Sequence, residues 1–297
     1  MGENKEKEIY SATNAFYKNK KTNFIPGETF IPTGLAIYGA PEMNAIIKAL
    51  ISEKLGLSNK GEEFEKRFAN YCETNYCSLA NSGSSASLLA LSAIKKKYKL
   101  NKGEIITPAC GFPTTVNPII QLGFKPVFTD VDETYNITPE LISNALSQNT
   151  VGICFAHTLG NPARIEEIAK LAKEKNIFLV EDCSDAYGSL YQGKKCGSFG
   201  DASIASFYPA HNITLAGEGG AIMTNDSETN KLVRSLRDWG RDCHCKTGQD
   251  NACNNRFGHF IGNIPYDHKY LFSEVGYNLK PTELQAAMGI EQLKRIE

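Results

Sequence analysis

The sequence predicts an α/β fold, a mostly parallel sheet covered by helices on both faces. Two observations carry this. Short apolar runs of strand length recur between residues 76 and 224, and segments with apolar residues at helical spacing lie between them. Residues able to do chemistry stand at the ends of several runs: Ser82 to Ser85, Asp182 and His211. In open α/β sheets, ligands bind beyond the carboxyl ends of the parallel strands.

Taken in order, residues 1 to about 35 are polar and weakly periodic, with a basic stretch at 18–21 and breakers at Pro26 and Pro32, and read as an arm. A helix is expected from Pro41, where Met43, Ile46, Ile47, Leu50 and Ile51 fall on one face. A second carries the aromatic stripe Phe64, Phe68 and Tyr71, which reads as core. Strands are expected at 76–80, 104–107, 126–130, 151–156, 177–182, 203–207 and 221–224. Helices are expected at 86–97, 114–122 and 164–175, and one begins at Thr138-Pro139, a cap residue followed by proline. No internal repeat or low-complexity tract interrupts the series.

The composition narrows the function. The chain has 297 residues, 41% apolar and 22% charged, an ordinary globular balance with material for a large core. A net charge of −1 argues against nucleic acid or an anionic membrane as the main partner. No run approaches the ~18 apolar residues of a membrane span. Met1 leads into the polar GENKEKE with no apolar region behind it, so a cytoplasmic location is expected. Nine cysteines fit reduced thiols or metal ligands better than a disulfide framework.

Four stretches carry candidate chemistry. The turn 81–85 joins a strand to a helix and offers N–H groups, hydroxyls and a helix N-terminus to an anion; a serine-rich cap that binds nothing reads equally well. Phe112 follows a strand, where a ring either stacks on a planar ligand or packs in the core. Residues 203–220 present one ionisable ring, His211, in a glycine-flanked loop, a layout shared by active sites and by plain hydrogen-bonded loop histidines. Cys243-x-Cys245-x7-Cys253 has close spacing in a loop rich in Asp, Asn and Gly, which fits iron–sulfur or zinc ligation, or surface thiols without metal.

The run Ser206-Phe207-Tyr208-Pro209-x-His211-x-Ile213-Thr214, followed by Gly217-Glu218-Gly219-Gly220, resembles the cofactor loop of the pyridoxal phosphate (PLP) sugar aminotransferases. In most of that family a lysine occupies the place of His211. The substitution resembles the 3-dehydrases of nucleotide-linked 4-keto-6-deoxyhexoses, an offshoot of the family. The resemblance implies an aspartate aminotransferase-like large domain. It implies that Gly83, Ser84, Ser85 and Ser206 hold the cofactor phosphate and that Phe112 stacks on its ring. Asp182 would sit beside the pyridinium nitrogen, with Asp185 a second contact. Gly276-Tyr277-Asn278, followed by Thr282-Glu283-Leu284-Gln285-Ala286-Ala287, resembles a segment whose Asn278 equivalent reaches a neighbouring subunit, so a homodimer is implied.

Histidine cannot form the Schiff base that a lysine forms, but imidazole moves protons near neutral pH, with a reference pKa of about 6.5. The resemblance therefore implies pyridoxamine phosphate (PMP) held non-covalently and loss of the C3 hydroxyl, with His211 as the proton carrier. The product, a 3,6-dideoxy-4-ketosugar nucleotide, would feed surface polysaccharide. The context Arg237-Asp238-Trp239-Gly240-Arg241-Asp242-Cys243-x-Cys245 resembles the branch with a [2Fe-2S] cluster, whose substrate is CDP-4-keto-6-deoxyglucose. An NADH-dependent flavin/iron–sulfur reductase supplies the electrons there. The fourth ligand departs from the pattern: Ser184 stands at its position, leaving Cys183 beside it, Cys196, serine ligation, or no cluster. A cluster-free GDP-4-keto-6-deoxymannose 3-dehydrase, a PLP aminotransferase and a non-catalytic truncated homologue acting as a binding subunit are the alternatives. The resemblance divides the chain into an arm (1–35), a large domain (36–275) containing an iron–sulfur loop (238–256), and the start of a linker helix (276–297) to a small C-terminal domain largely missing here.

Overall fold

Runs such as FLVED at 178–182 and ASIAS at 202–206 are buried at every residue, so they need cover on both faces. They lie at the centre of a seven-stranded sheet in the computed structural model, which describes residues 2–20, 24–32, 34, 36–53, 55–243, 251 and 254–296. The order of elements is α1 (Gly2–Asn19), α2 (Ala40–Ile51), α3 (Asn59–Tyr71), β1 (Tyr76–Ala80), α4 (Gly83–Lys97), β2 (Glu104–Pro108), α5 (Pro113–Gln121) and β3 (Lys125–Thr129). Next come α6 (Pro139–Ala145), β4 (Thr150–Ala156), α7 (Ile165–Lys175), β5 (Phe178–Asp182), the short pair β6 (Leu190–Tyr191) and β7 (Lys194–Lys195), β8 (Ala202–Ser206) and β9 (Gly220–Thr224). The chain continues through α8 (Ser227–Arg237), the hairpin β10 (His259–Ile261) and β11 (Ile264–Tyr266), and α9 (Glu283–Leu293).

The strand order is β1-β9-β8-β5-β4-β2-β3. Strands β8, β5, β4, β2 and β3 pair in parallel, and β9 runs antiparallel to both of its neighbours. The expected mostly parallel sheet is present, and each of its seven strands ends within one residue of its expected place. Alternation along the strands splits the core. Ile105, Val180, Ile204 and Ile222 face one side, beneath α4 and α8; Ile106, Leu179, Ala205 and Met223 face the other.

Two helices have no counterpart in the sequence reading. Helix α1 falls in the stretch read as an arm, and α8 is mostly polar, burying Thr229, Val233, Leu236 and Arg237. Asp226 caps α8, accepting from the Thr229 N–H at 2.7 Å. A buried ion network ties α8 to α3 and β1. Glu65 accepts from Arg237 Nη1 at 2.9 Å, from the Leu79 N–H at 2.8 Å, and from Arg234. Burial opposes ionisation of Glu65, but the two arginines and the Leu79 N–H outweigh it and lower its pKa. No helix among the described residues is long and apolar enough to cross a membrane.

Candidate active site

Every predicted cofactor residue on the sheet lies at or just beyond a strand end on one edge. The N-terminus of α4 follows β1 directly. Ser82 caps it: its hydroxyl accepts from the Ser85 N–H at 3.1 Å and donates to the Ser85 hydroxyl at 3.0 Å. The first turn holds no acidic side chain, and the last carries Lys95, Lys96 and Lys97, so the helix ends suit an anion at Gly83 to Ser85. Strands β8 and β9 press on this turn. A Cβ on Gly83 would stand 2.5 Å from Cβ of Ser206, and one on Gly220 would stand 2.2 Å from the Ser82 carbonyl oxygen. Ser206 thus lies against the first residue of α4, as the phosphate-site expectation requires.

At the end of β5, adjacent acids point to opposite faces and do different work. Glu181 is fully buried and accepts from the N–H groups of Gly197, Phe199 and Gly200 at 2.8, 3.0 and 2.7 Å. It also meets His157 Nε2 at 3.1 Å, while His157 Nδ1 accepts from the Ala163 N–H at 3.1 Å. These bonds make Glu181 the organiser of the turn at 197–200. Asp182 faces the site edge instead. One oxygen accepts from the Thr115 hydroxyl at 2.8 Å; the other accepts from the Ser184 N–H and hydroxyl at 3.1 and 2.7 Å. Thr115 and Ser184 therefore set the orientation of Asp182.

His211 sits in the loop between β8 and β9. Because those strands are antiparallel neighbours, the loop turns back over the edge where β5 and β8 end. Tyr187 anchors it by accepting from the Ile213 N–H at 3.1 Å, and Gln292 on α9 accepts from the Thr214 N–H at 3.2 Å. The His211 side chain is 20% exposed and its Nδ1 lies 2.9 Å from Asp185 Oδ1. That hydrogen bond holds the Asp185 carboxyl below its usual range, against a smaller opposing effect of burial. Asp185, expected as a cofactor contact, is thus also the partner of His211.

Phe112 is 69% exposed at the start of α5, which rules out the packed-core reading and leaves its face free. Asn278 is exposed in the segment before α9; next to it, the Leu279 carbonyl accepts from the Asn81 N–H at 2.9 Å, which joins the segment to the α4 turn. The cysteines divide. Cys183 is fully buried in an apolar cluster with Phe68, Tyr187 and Phe207, and burial pushes its thiol well above the usual range. Cys196 is 1% exposed in the same cluster. Cys243 is half-buried in the turn beyond α8, and Cys245 and Cys253 lie outside the described residues. The hydroxyl of Ser184, at the expected fourth-ligand position, is donated to Asp182. Sequence reasoning missed Thr115 and His157; the hydroxyl of Thr115 in the first turn of α5 carries no local sign that it meets an acid 67 residues later.

Comparison with known proteins places the whole chain rather than the site. The chain is 45% identical over 300 residues to dTDP-4-dehydro-2,6-dideoxy-D-glucose 3-dehydratase of Saccharopolyspora spinosa, covering 98% of this chain and 65% of the relative. It is 44% identical over 308 residues to the lipopolysaccharide biosynthesis protein RfbH of Salmonella typhimurium, covering 100% and 70%. The chain thus spans about two thirds of the length of these relatives. Among solved structures, Escherichia coli GDP-4-keto-6-deoxy-D-mannose-3-dehydratase with bound hydrated PLP superposes with a TM-score of 0.79 at 30% identity, covering 90% of this chain and 68% of that one. Residues 37–297 match the DegT/DnrJ/EryC1/StrS aminotransferase family model, and this chain belongs to that family.

Proposed function

We propose that the protein removes the C3 hydroxyl of a nucleotide-linked 4-keto-6-deoxyhexose, using PMP, on the way to a 3,6-dideoxysugar. The observation that carries this reading is the ring at position 211. A histidine, paired through Nδ1 with Asp185, stands where a transaminating member of the family would have a lysine. The two sequence relatives described above, a 3-dehydratase and a lipopolysaccharide biosynthesis protein, agree with it. CDP-4-keto-6-deoxyglucose is the substrate we favour, and a homodimer, with Asn278 reaching the second site, the assembly.

The residues present fit the cofactor. The α4 N-terminus, free of acids and flanked by the Ser206 hydroxyl, accepts a phosphate. The exposed face of Phe112 accepts a planar ring, and the buried Asp182 supplies an acceptor for a ring N–H. When bound, PMP supplies an amine for the sugar's C4 carbonyl and an electron-accepting ring. The protein's own part is proton movement: Asp185 fixes Nδ1, leaving Nε2 of His211 to take up and return a proton. Thr115 and Ser184 keep Asp182 turned to its acceptor role.

A [2Fe-2S] centre on Cys243, Cys245 and Cys253, fed by an NADH-dependent flavin/iron–sulfur reductase, is the second reading, and their spacing supports it. Cys183, the candidate fourth ligand, is fully buried, with His157 and Glu181 within 4.8 Å of its thiol.

The test separates C–O cleavage from electron supply. The full chain with PMP and CDP-4-keto-6-deoxyglucose is incubated in ¹⁸O-water, and ¹⁸O entry at C3 is read by mass spectrometry. Exchange dependent on both PMP and His211 is expected. Formation of a 4-amino sugar, or no exchange with either the CDP- or the GDP-linked substrate, would sink the proposal.

A further inference from the structure

Asp242, His259 and His268 converge in a part of the chain that the proposed dehydration leaves unused. One ligand atom from each lies within 4.8 Å of the other two. His268 Nε2 is 3.0 Å from Asp242 Oδ2, and the rings of His259 and His268 pack at 4.2 Å between centroids, tilted by 31°. Two of the chain's five histidines meet here, one on the β10–β11 hairpin and one in the turn directly after it.

The backbone fixes all three. The Asp242 N–H donates to the Leu271 carbonyl at 2.9 Å, and the His268 N–H to the Arg256 carbonyl at 2.7 Å. His259 pairs with Tyr266 across the β10–β11 hairpin. Close by, Arg256 directs its guanidinium to Asp267, at 2.8 to 3.1 Å. His268 is buried, His259 half-buried and Asp242 exposed, which gives a seat with one open side.

We propose that Asp242, His259 and His268 form a site for a divalent first-row transition metal such as zinc. Two imidazoles and one carboxylate are a donor set for such ions. Tetrahedral zinc with ligand bonds near 2.0 Å places donors about 3.3 Å apart. The His268–Asp242 edge already matches, and the third donor closes by about 1.5 Å or less. The cation takes the place of the proton now bridging His268 and Asp242. Bound there, it fastens the β10–β11 hairpin to the turn after α8, the turn that also carries Cys243.

The neighbouring cysteines are the competing ligands, so the experiment removes them first. Full-length protein carrying Cys243→Ser, Cys245→Ser and Cys253→Ser is stripped with chelator and titrated with Co²⁺ and then Zn²⁺. One metal per chain is expected, with cobalt ligand-field bands, no sulfur-to-metal charge transfer, and a rise in melting temperature on zinc addition. His259→Ala in the same background is expected to weaken binding at least tenfold and to abolish the rise, with an unchanged circular dichroism spectrum. His259 is half-buried on a short hairpin, so this variant decides the matter even where His268→Ala fails to fold. Loss of binding with the three serines alone, or unchanged affinity in His259→Ala, overturns the proposal.

Discussion

Nδ1 of His211 lies 2.9 Å from Oδ1 of Asp185, 26 residues earlier in the chain. The two side chains come from loops that follow adjacent parallel strands, so the sheet order creates the pair. It determines which imidazole nitrogen is left to meet a substrate. His211→Asn is expected to cost ¹⁸O exchange about a hundredfold or more, as loss of a proton carrier does. The carboxyl of Asp185 is held low by His211, so the pair's contribution is present above the ordinary carboxyl pKa and lost as pH falls through the folded value. In His211→Asn that carboxyl is expected to titrate higher than in the wild type, by carbon-13 NMR. An unmoved titration would mean the two groups do not interact.

Asp182→Asn keeps the shape of the side chain and one acceptor oxygen but replaces an oxygen that Thr115 or Ser184 now donates to. The fold is expected to survive. PMP retention and ¹⁸O exchange are expected to fall, exchange by about 10² to 10³. Wild-type exchange in this variant would remove Asp182 from the site.

Gly220→Ala tests the close approach of β9 to the α4 turn. The new Cβ would stand 2.2 Å from the Ser82 carbonyl oxygen, a backbone atom that cannot swing away. A loss of about 1–3 kcal/mol is expected from urea unfolding. Gly111→Ala is the control, since nothing lies within 4 Å of its Cβ position, and it is expected to change stability little. Equal midpoints for the two variants would refute the crowding.

Glu65→Gln leaves Arg237, itself 6% exposed, without its buried counter-charge. The expected cost at neutral pH is about 3–5 kcal/mol. The folded pKa of Glu65 is lowered, so its stabilisation is present above the unfolded value, about 4.3, and disappears as pH falls through the folded one. The gap between wild type and variant should therefore narrow on acidification below about pH 4. A constant gap would show that the cost is packing alone.

Local pattern made much of the protein legible. The strand runs, the helices between them and the placing of Gly83, Asp182, Ser206 and His211 at strand ends follow from periodicity and turn chemistry, which act over a few residues. The helices that escaped are α1, which is polar, and α8, whose short stripe of Leu232, Val233 and Leu236 is set among polar residues.

Only the tertiary structure decided the rest. It reversed β9, which returns the His211 loop to the site edge, and it divided Glu181 from Asp182 by strand face. It paired Asp185 with His211, enclosed Cys183 in the core, and gathered Asp242, His259 and His268. The reason is common to all of these. Sequence spacing fixes which face a side chain takes on its own strand or helix, whereas contacts between segments 26 or 67 residues apart depend on the order in which the strands pair.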